Sequence, residues 1–153
     1  MTLSDLIQQE RFPSPAEEAL LNVLVTANWL TSELSKTMAP FGISPPQYNL
    51  LRVVRGRQPE RPTCSDIKAR LLDRTPDVTR LVERLQKAGL VERHRSASDR
   101  RSVEVALTDE GADLLRRLDP LVQETIDRVM QHVSAEEQAA LSGLLERVRT
   151  DQE

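Results

Sequence analysis

Arginine is the residue type in this 153-residue chain with the most chemistry to offer, and its placement is uneven. Between Lys68 and Arg101 stand ten Lys/Arg (68, 70, 74, 80, 84, 87, 93, 95, 100, 101) against five Asp/Glu (73, 77, 83, 92, 99), a local charge of +5. The whole chain carries −3, so the remainder carries −8. Guanidinium groups are permanently charged donors whose fork fits phosphate oxygens and the O6/N7 edge of guanine. The net charge taken alone argues against a nucleic-acid partner, but a basic strip on an acidic body suits a protein that meets a polyanion with one face.

Other chemistries have little material. The two histidines, His94 and His132, are far apart, and Cys64 is the only cysteine. An intrachain disulfide is therefore ruled out, and no metal or cofactor is expected. Neither a Ser/His/Asp set nor a phosphate-cradling glycine loop is present, which argues against an enzyme. Cys64 falls at the first position of a predicted helix, where the helix N-terminus would lower its thiol pKa and make it a candidate redox group; inert packing is the plainer reading. The longest uncharged apolar stretch, Ala19 to Leu30, is interrupted by Asn22, Thr26 and Asn28 and is too short to cross a bilayer. With no secretion-type leader pattern, the expected location is cytoplasmic and no membrane partner is expected.

The elements that must position the arginines can be read from hydrophobic period and punctuation. Leu20, Val23, Leu24, Ala27, Leu30, Leu34 and Met38 recur at gaps of three and four, predicting a long helix from Pro15 to Met38 that Pro40 ends. Ser44-Pro45-Pro46-Gln47 combines an N-cap, a proline at the first helical position and a capping-box glutamine, and opens a short helix that Gly56 terminates. After a polar loop from Arg57 to Pro62, Thr63-Cys64-Ser65-Asp66 opens another, with Ile67, Leu71 and Leu72 expected on its buried side. Thr75-Pro76-Asp77 reads as the start of a further helix, with Thr75 as cap, an apolar stripe of Val78, Leu81, Val82 and Leu85, and Gly89 at its C-terminal end.

Beyond Gly89 the period becomes two. Leu90 to His94 and Ser102 to Leu107 predict two short strands, joined by a tip at Ser96 to Arg100. Thr108-Asp109-Glu110 caps a last long helix in which Pro120 is expected to introduce a kink near Asp119. Ser134-Ala135-Glu136-Glu137 opens the final one. The fold class is thus mainly α with a small β-hairpin wing: a winged helix-turn-helix within one domain of a size that buries roughly 70% of its unfolded surface.

In such a fold the second short helix enters a major groove with its N-terminal residues toward base edges, so Thr75, Pro76, Asp77, Thr79, Arg80 and Arg84 are the candidate DNA-binding residues. Arg80 is suited to guanine or phosphate, and Arg84, a turn later, to phosphate. Arg100 and Arg101 at the wing tip are placed to enter a narrow minor groove, with Asp99 directing the guanidinium of Arg101. A solvated charged face is the competing reading of any surface arginine, and Lys68, Arg93 and Arg95 stand between the two. His94, on the first wing strand, is a further candidate for phosphate. Trp29, Phe41 and Tyr48 are candidates for the border of an effector pocket between the first two helices and the DNA-binding lobe, although buried aromatics usually just pack.

The run Arg74 to Gly111, RTPDVTRLVERLQKAGLVERHRSASDRRSVEVALTDEG, resembles the recognition helix, wing and following helix start of the MarR (multiple antibiotic resistance regulator) family. The wing motif Asp99-Arg100-Arg101 and the later Leu107-Thr108-Asp109-Glu110-Gly111 carry the likeness, and the helix order extends it over nearly the whole chain. The Thr75-Pro76-Asp77 start departs from common members. The resemblance implies a homodimer built from residues 1–40 and 108–153 around a DNA-binding lobe of residues 41–107. It further implies double-stranded DNA with a pseudo-palindromic operator as partner, and a transcriptional regulator, in the expected form a repressor, released by a small-molecule or redox effector. A winged-helix module for protein partners is the alternative, and it would place an apolar surface where this wing carries arginines.

Overall fold

Side-chain caps set most of the helix starts. The computed structural model describes residues 2–72, 77–95 and 102–150. Thr2 and Asp5 form a reciprocal capping box that starts a short helix, α1 (Leu3–Ile7), which the sequence pattern did not announce. Ser14 accepts the Glu17 N–H ahead of α2 (Pro15–Met38), and a 3₁₀ turn, Ala39–Phe41, carries the chain away from it. The Ser44 N–H and hydroxyl both donate to Gln47 Oε1, at 2.9 and 3.1 Å, at the head of α3 (Pro45–Arg55). Thr63 and Asp66 do the same reciprocally for α4 (Cys64–Arg70), and Ser134 and Glu137 for α7 (Ala135–Val148). These satisfy amide donors that a helix leaves open at its start.

The turn from α4 to α5 (Val78–Lys87) differs from expectation in two ways. Leu71 takes an extended backbone (φ −67°, ψ 142°), which ends the helical period, so Leu71 stays buried while Leu72 turns outward and is 92% exposed. The cap of α5 is Asp77, not Thr75: Asp77 is non-helical and its carboxylate accepts the Arg80 N–H at 3.2 Å, which starts the helix two residues later than the proline suggested. Thr75 and Pro76 lie outside the described residues. At the other end Gly89, with φ +73°, lets its N–H reach Gln86 O and the Leu90 N–H reach Leu85 O, the paired closure that a left-handed residue permits.

Strands β1 (Val91–Arg95) and β2 (Val103–Leu107) pair antiparallel with Val91 opposite Leu107 and Arg95 opposite Val103. A third, minimal edge is added where Thr63 bridges Glu104 and the Val105 N–H donates to Pro62 O. Helix α6 (Asp109–Met130) starts on Thr108, whose hydroxyl donates to Gly89 O at 2.7 Å and accepts the Gly111 N–H at 3.0 Å. At Gly111 an added Cβ would lie 2.1 Å from Leu90 O, so only glycine allows this approach of α6 to the end of α5. The helix runs through Pro120 as one element.

The core is one cluster inside the lobe: Leu50, Leu51, Val54, Ile67, Val82, Leu85, Val91 and Val105, closed from above by Met38, Leu115 and Leu118. Each such side chain contributes roughly 1.5–3 kcal/mol by leaving water. Polar ties join α2 to α6 beyond it, with Thr37 and Thr125 hydroxyls 2.8 Å apart and Glu33 receiving both Lys36 and Arg128. No described helix is long and apolar enough to cross a membrane.

Candidate nucleic-acid interface

Helix α5 has two faces of opposite character. Val78, Leu81, Val82 and Leu85 are buried, which leaves Thr79, Arg80, Glu83, Arg84 and Lys87 together on the solvent side. The burial of one stripe thereby aims the polar one outward. Arg80 is 78% exposed, and its Nε stands 3.3 Å from Asp77 Oδ2. Asp77 therefore does two things: it caps α5 and it holds the Arg80 guanidinium over the first turn. An acid at this position is better explained by that geometry than by direct contact with phosphate. Arg84 is exposed one turn further along.

Beside this face, α4, α5 and the hairpin enclose a crevice of about 240 Å³ lined by Thr63, Cys64, Ser65, Thr79, Arg93, Ser102 and Val103. Arg93 lies opposite Val105 in the hairpin, on the same strand face as buried Val91, and so reaches the crevice beside Thr79. Its sequence signal, alternation with the buried valines, was present but did not separate it from the solvated arginines. His94 takes the other face of β1: its Nε2 is 3.1 Å from Glu92 Oε1, and its cross-strand neighbour is Glu104. Acids on both sides make it a poorer phosphate contact than its strand position suggested. Asp99, Arg100 and Arg101, the expected wing-tip residues, lie outside the described residues.

Cys64 occupies the first turn of α4 as expected, and its thiol is half-buried. Burial pushes its pKa up from the ordinary value, and the opposing charge of Arg93 does not compensate. The sulfur is partly removed from water, and that works against the lowering a helix N-terminus would supply. Among the described residues, no group of three or more His, Cys, Asp or Glu is placed to hold a metal ion.

Two of the three aromatic residues expected around an effector pocket are engaged by side chains of α3 and α6. Tyr48 is buried and donates its hydroxyl to Asp119 Oδ1 at 2.7 Å, under the guanidinium of Arg52. Phe41 lies beneath Arg117, 5.9 Å from ring centre to guanidinium carbon. Trp29 sits on α2, nine residues and thus about 13 Å along the axis from Met38, and is 47% exposed.

A second surface lies on the outer helices. Leu20, Val23 and Leu24 on α2, Leu121 and Ile126 on α6, and Leu141, Leu144 and Val148 on α7 are all exposed. An open apolar cavity of about 610 Å³ lies between α2 and α7, walled by Ala19, Val23, Leu141, Leu144, Leu145 and Val148. No residue of α7 is buried. Apolar side chains left in water in such number mark an interaction site.

Comparison with known proteins places these features in context. A sequence model described as MarR family matches residues 41–102, the span from the 3₁₀ turn to the second strand. The HTH-type transcriptional regulator PecS of Dickeya dadantii is 29% identical over 157 residues, covering 97% of this chain and 93% of the relative. The crystal structure of a MarR transcription factor from Planctomyces limnophilus is 38% identical with a TM-score of 0.69, covering 89% of this chain and 98% of that one. A mutant MarR from E. coli, solved in complex with operator DNA, is 28% identical with a TM-score of 0.75, covering 82% and 89%.

Proposed function

Since this chain belongs to the MarR family, we propose that it is a sequence-specific, DNA-binding transcriptional regulator that acts as a homodimer and reads a pseudo-palindromic double-stranded operator. Residues 1–40 and 108–153 supply the dimer contact, and residues 41–107 form the DNA-binding lobe. The observation that carries the reading is the solvent face of α5, where Thr79, Arg80, Arg84 and Lys87 stand together with Arg93 beside them. Thr79 and Arg80, in the first turn, meet base edges, and Arg84 and Lys87 hold phosphate. Thr75 and Pro76, which precede Asp77 in sequence, are read as contacting the same groove. Arg100 and Arg101 at the wing tip enter the flanking minor groove, with Asp99 steering Arg101.

The exposed apolar faces of α2, α6 and α7 support the dimer: two copies burying them against one another remove from water the surface that a single chain leaves open. Two lobes then face successive major grooves about one helical turn apart. Repression follows if the dimer sits over a promoter, and release follows from an effector that binds better to a dimer shape unable to span both half-sites. That effector is a small molecule or an oxidant, with Cys64 the candidate group for the latter. A regulator of this kind works in the cytoplasm, on the chromosome, and needs no catalytic centre.

The test is selection of duplexes from a random pool, followed by affinity measurement over a range of salt. The reading expects an enriched inverted repeat and a steep linear fall of log affinity with log salt, of slope about −0.9 for each phosphate neutralised. A flat salt response, or equal binding to scrambled duplexes, contradicts it.

A further inference from the structure

The DNA-binding lobe and the outer helices meet at a polar joint. Tyr48, Arg52 and Arg55 recur at gaps of four and three along α3 and so share one face of that helix. On α6, Asp119 receives two of them: Tyr48 Oη donates to Oδ1 at 2.7 Å and Arg55 Nη1 donates to Oδ2 at 2.6 Å. Arg52 closes the arrangement from above, 5.8 Å over the Tyr48 ring. Each carboxylate oxygen therefore has its own donor, and the two donors stand seven residues apart on α3. That fixes both the distance between α3 and α6 and their relative rotation, as a single-point contact would not.

The electrostatics agree with the geometry. Burial works against the charge of Asp119, yet the hydrogen bonds from Arg55 and Tyr48 hold its carboxyl below the ordinary carboxylate value. The Tyr48 phenol is pushed up to about 12, first by burial and then by the bond to Asp119. Helix α3 in turn packs on α4, α5 and β2, so any change in its pose on α6 carries the DNA-facing elements with it.

We propose that Asp119 is a positioning residue for operator recognition: a two-pronged anion on α6 that clamps Tyr48 and Arg55 and thereby sets the angle at which the DNA-binding lobe leaves the dimer helices. The inference rests on the proposed reading that the lobe binds DNA as half of a dimer. In that dimer the clamp acts twice, once in each copy, and fixes the separation of the two α5 helices. Loosening it leaves each lobe's own chemistry intact but blurs the half-site spacing the pair accepts.

Tyr48 is the only tyrosine in the chain, so one ring-labelled carbon signal in an NMR spectrum reports the clamp directly. The experiment compares the wild-type dimer with Asp119→Asn, and with the milder Tyr48→Phe, on the duplex that the wild type selects and on versions whose half-sites are moved by one or two base pairs. Asp119→Asn is expected to shift the Tyr48 signal and to bring its alkaline titration back toward the ordinary phenol value of about 10. It is also expected to weaken binding to the selected duplex about tenfold, with a smaller loss on the moved half-sites, while the dimer persists. Tyr48→Phe should give the same pattern with a smaller loss.

A loss that is equal on every spacing, or that tracks loss of helix content, overturns the proposal, as does unchanged binding in Asp119→Asn once the Tyr48 signal has moved. A wild-type chain that selects no duplex overturns the DNA-binding reading instead, and the proposal with it. The Tyr48 signal tells the cases apart, because it shows whether the clamp exists without any DNA present.

Discussion

The apolar stripes of α5 and α7 look alike in sequence and end in opposite places. On α5, Val78, Leu81, Val82 and Leu85 all lie in the core, with Leu85 wholly buried. On α7 the equivalent residues stay in water: Leu144 is 56% exposed and Val148 is 77% exposed. The lobe is complete within one chain. The outer helices are complete only when something covers them, and the proposed cover is a second copy. On the proposed reading, recognition chemistry sits on the self-sufficient region, and the spacing between two such regions is set by the unfinished one.

Changes to the two regions should have separable consequences. The largest effect is expected from Leu85→Ala in the lobe core, which should cost about 3 kcal/mol in unfolding free energy by leaving a cavity. A change of that size in thermal or denaturant unfolding should leave the association constant of the surviving folded dimer alone; parallel loss of both would break the distinction between the regions. Leu144→Asp does the reverse. Sedimentation equilibrium should show association weakened on the order of a hundredfold, because an unpaired charge is placed where an apolar contact is needed, while the far-ultraviolet spectrum keeps its helical form. A dimer of undiminished strength would mean that another surface joins the copies.

Gly111→Ala tests the seam between the regions. The added methyl meets Leu90 O at 2.1 Å, backbone that cannot swing away, so a loss of about 2 kcal/mol in unfolding free energy is expected; a neutral result would show that α6 can lift from the end of α5. The smallest effect belongs to Arg84→Ala. Its affinity for the selected duplex should fall only several-fold, uniformly across sequences, with the salt slope reduced by about one. Loss of discrimination among sequences would instead assign Arg84 to base reading.

Much of the fold was legible because its signals are local. Ser44 with Gln47, Thr63 with Asp66 and Ser134 with Glu137 are capping partners three residues apart, and each appears in the structure as the sequence implies. The Leu107-Thr108-x-x-Gly111 pattern acquires a physical cause: one hydroxyl serving two backbone groups and a glycine where a Cβ has no room. The start of α5 was misplaced because a proline that fits a first turn competed with Asp77, which can cap the helix itself, and the aspartate won. Leu72 was assigned inward by period alone, although the chain had already left the helix at Leu71. The Asp119 joint was not legible, since Tyr48 lies 71 residues from it and Arg55 lies 64. Nothing in a local window brings an acid beside a proline into register with a face of α3. Cys64 was legible in position, whereas its half-burial follows from tertiary packing.

The central claim is that one complete lobe per chain reads DNA and the unfinished outer helices pair two of them. Hydroxyl-radical footprinting of the selected duplex tests it most directly. The account predicts two protected half-sites of inverted sequence with centres about 10 base pairs, or a multiple of one helical turn, apart, and the protection should vanish as a unit in Leu144→Asp. A single protected site, or two protected sites that survive in the monomeric variant at the same protein concentration, would contradict it.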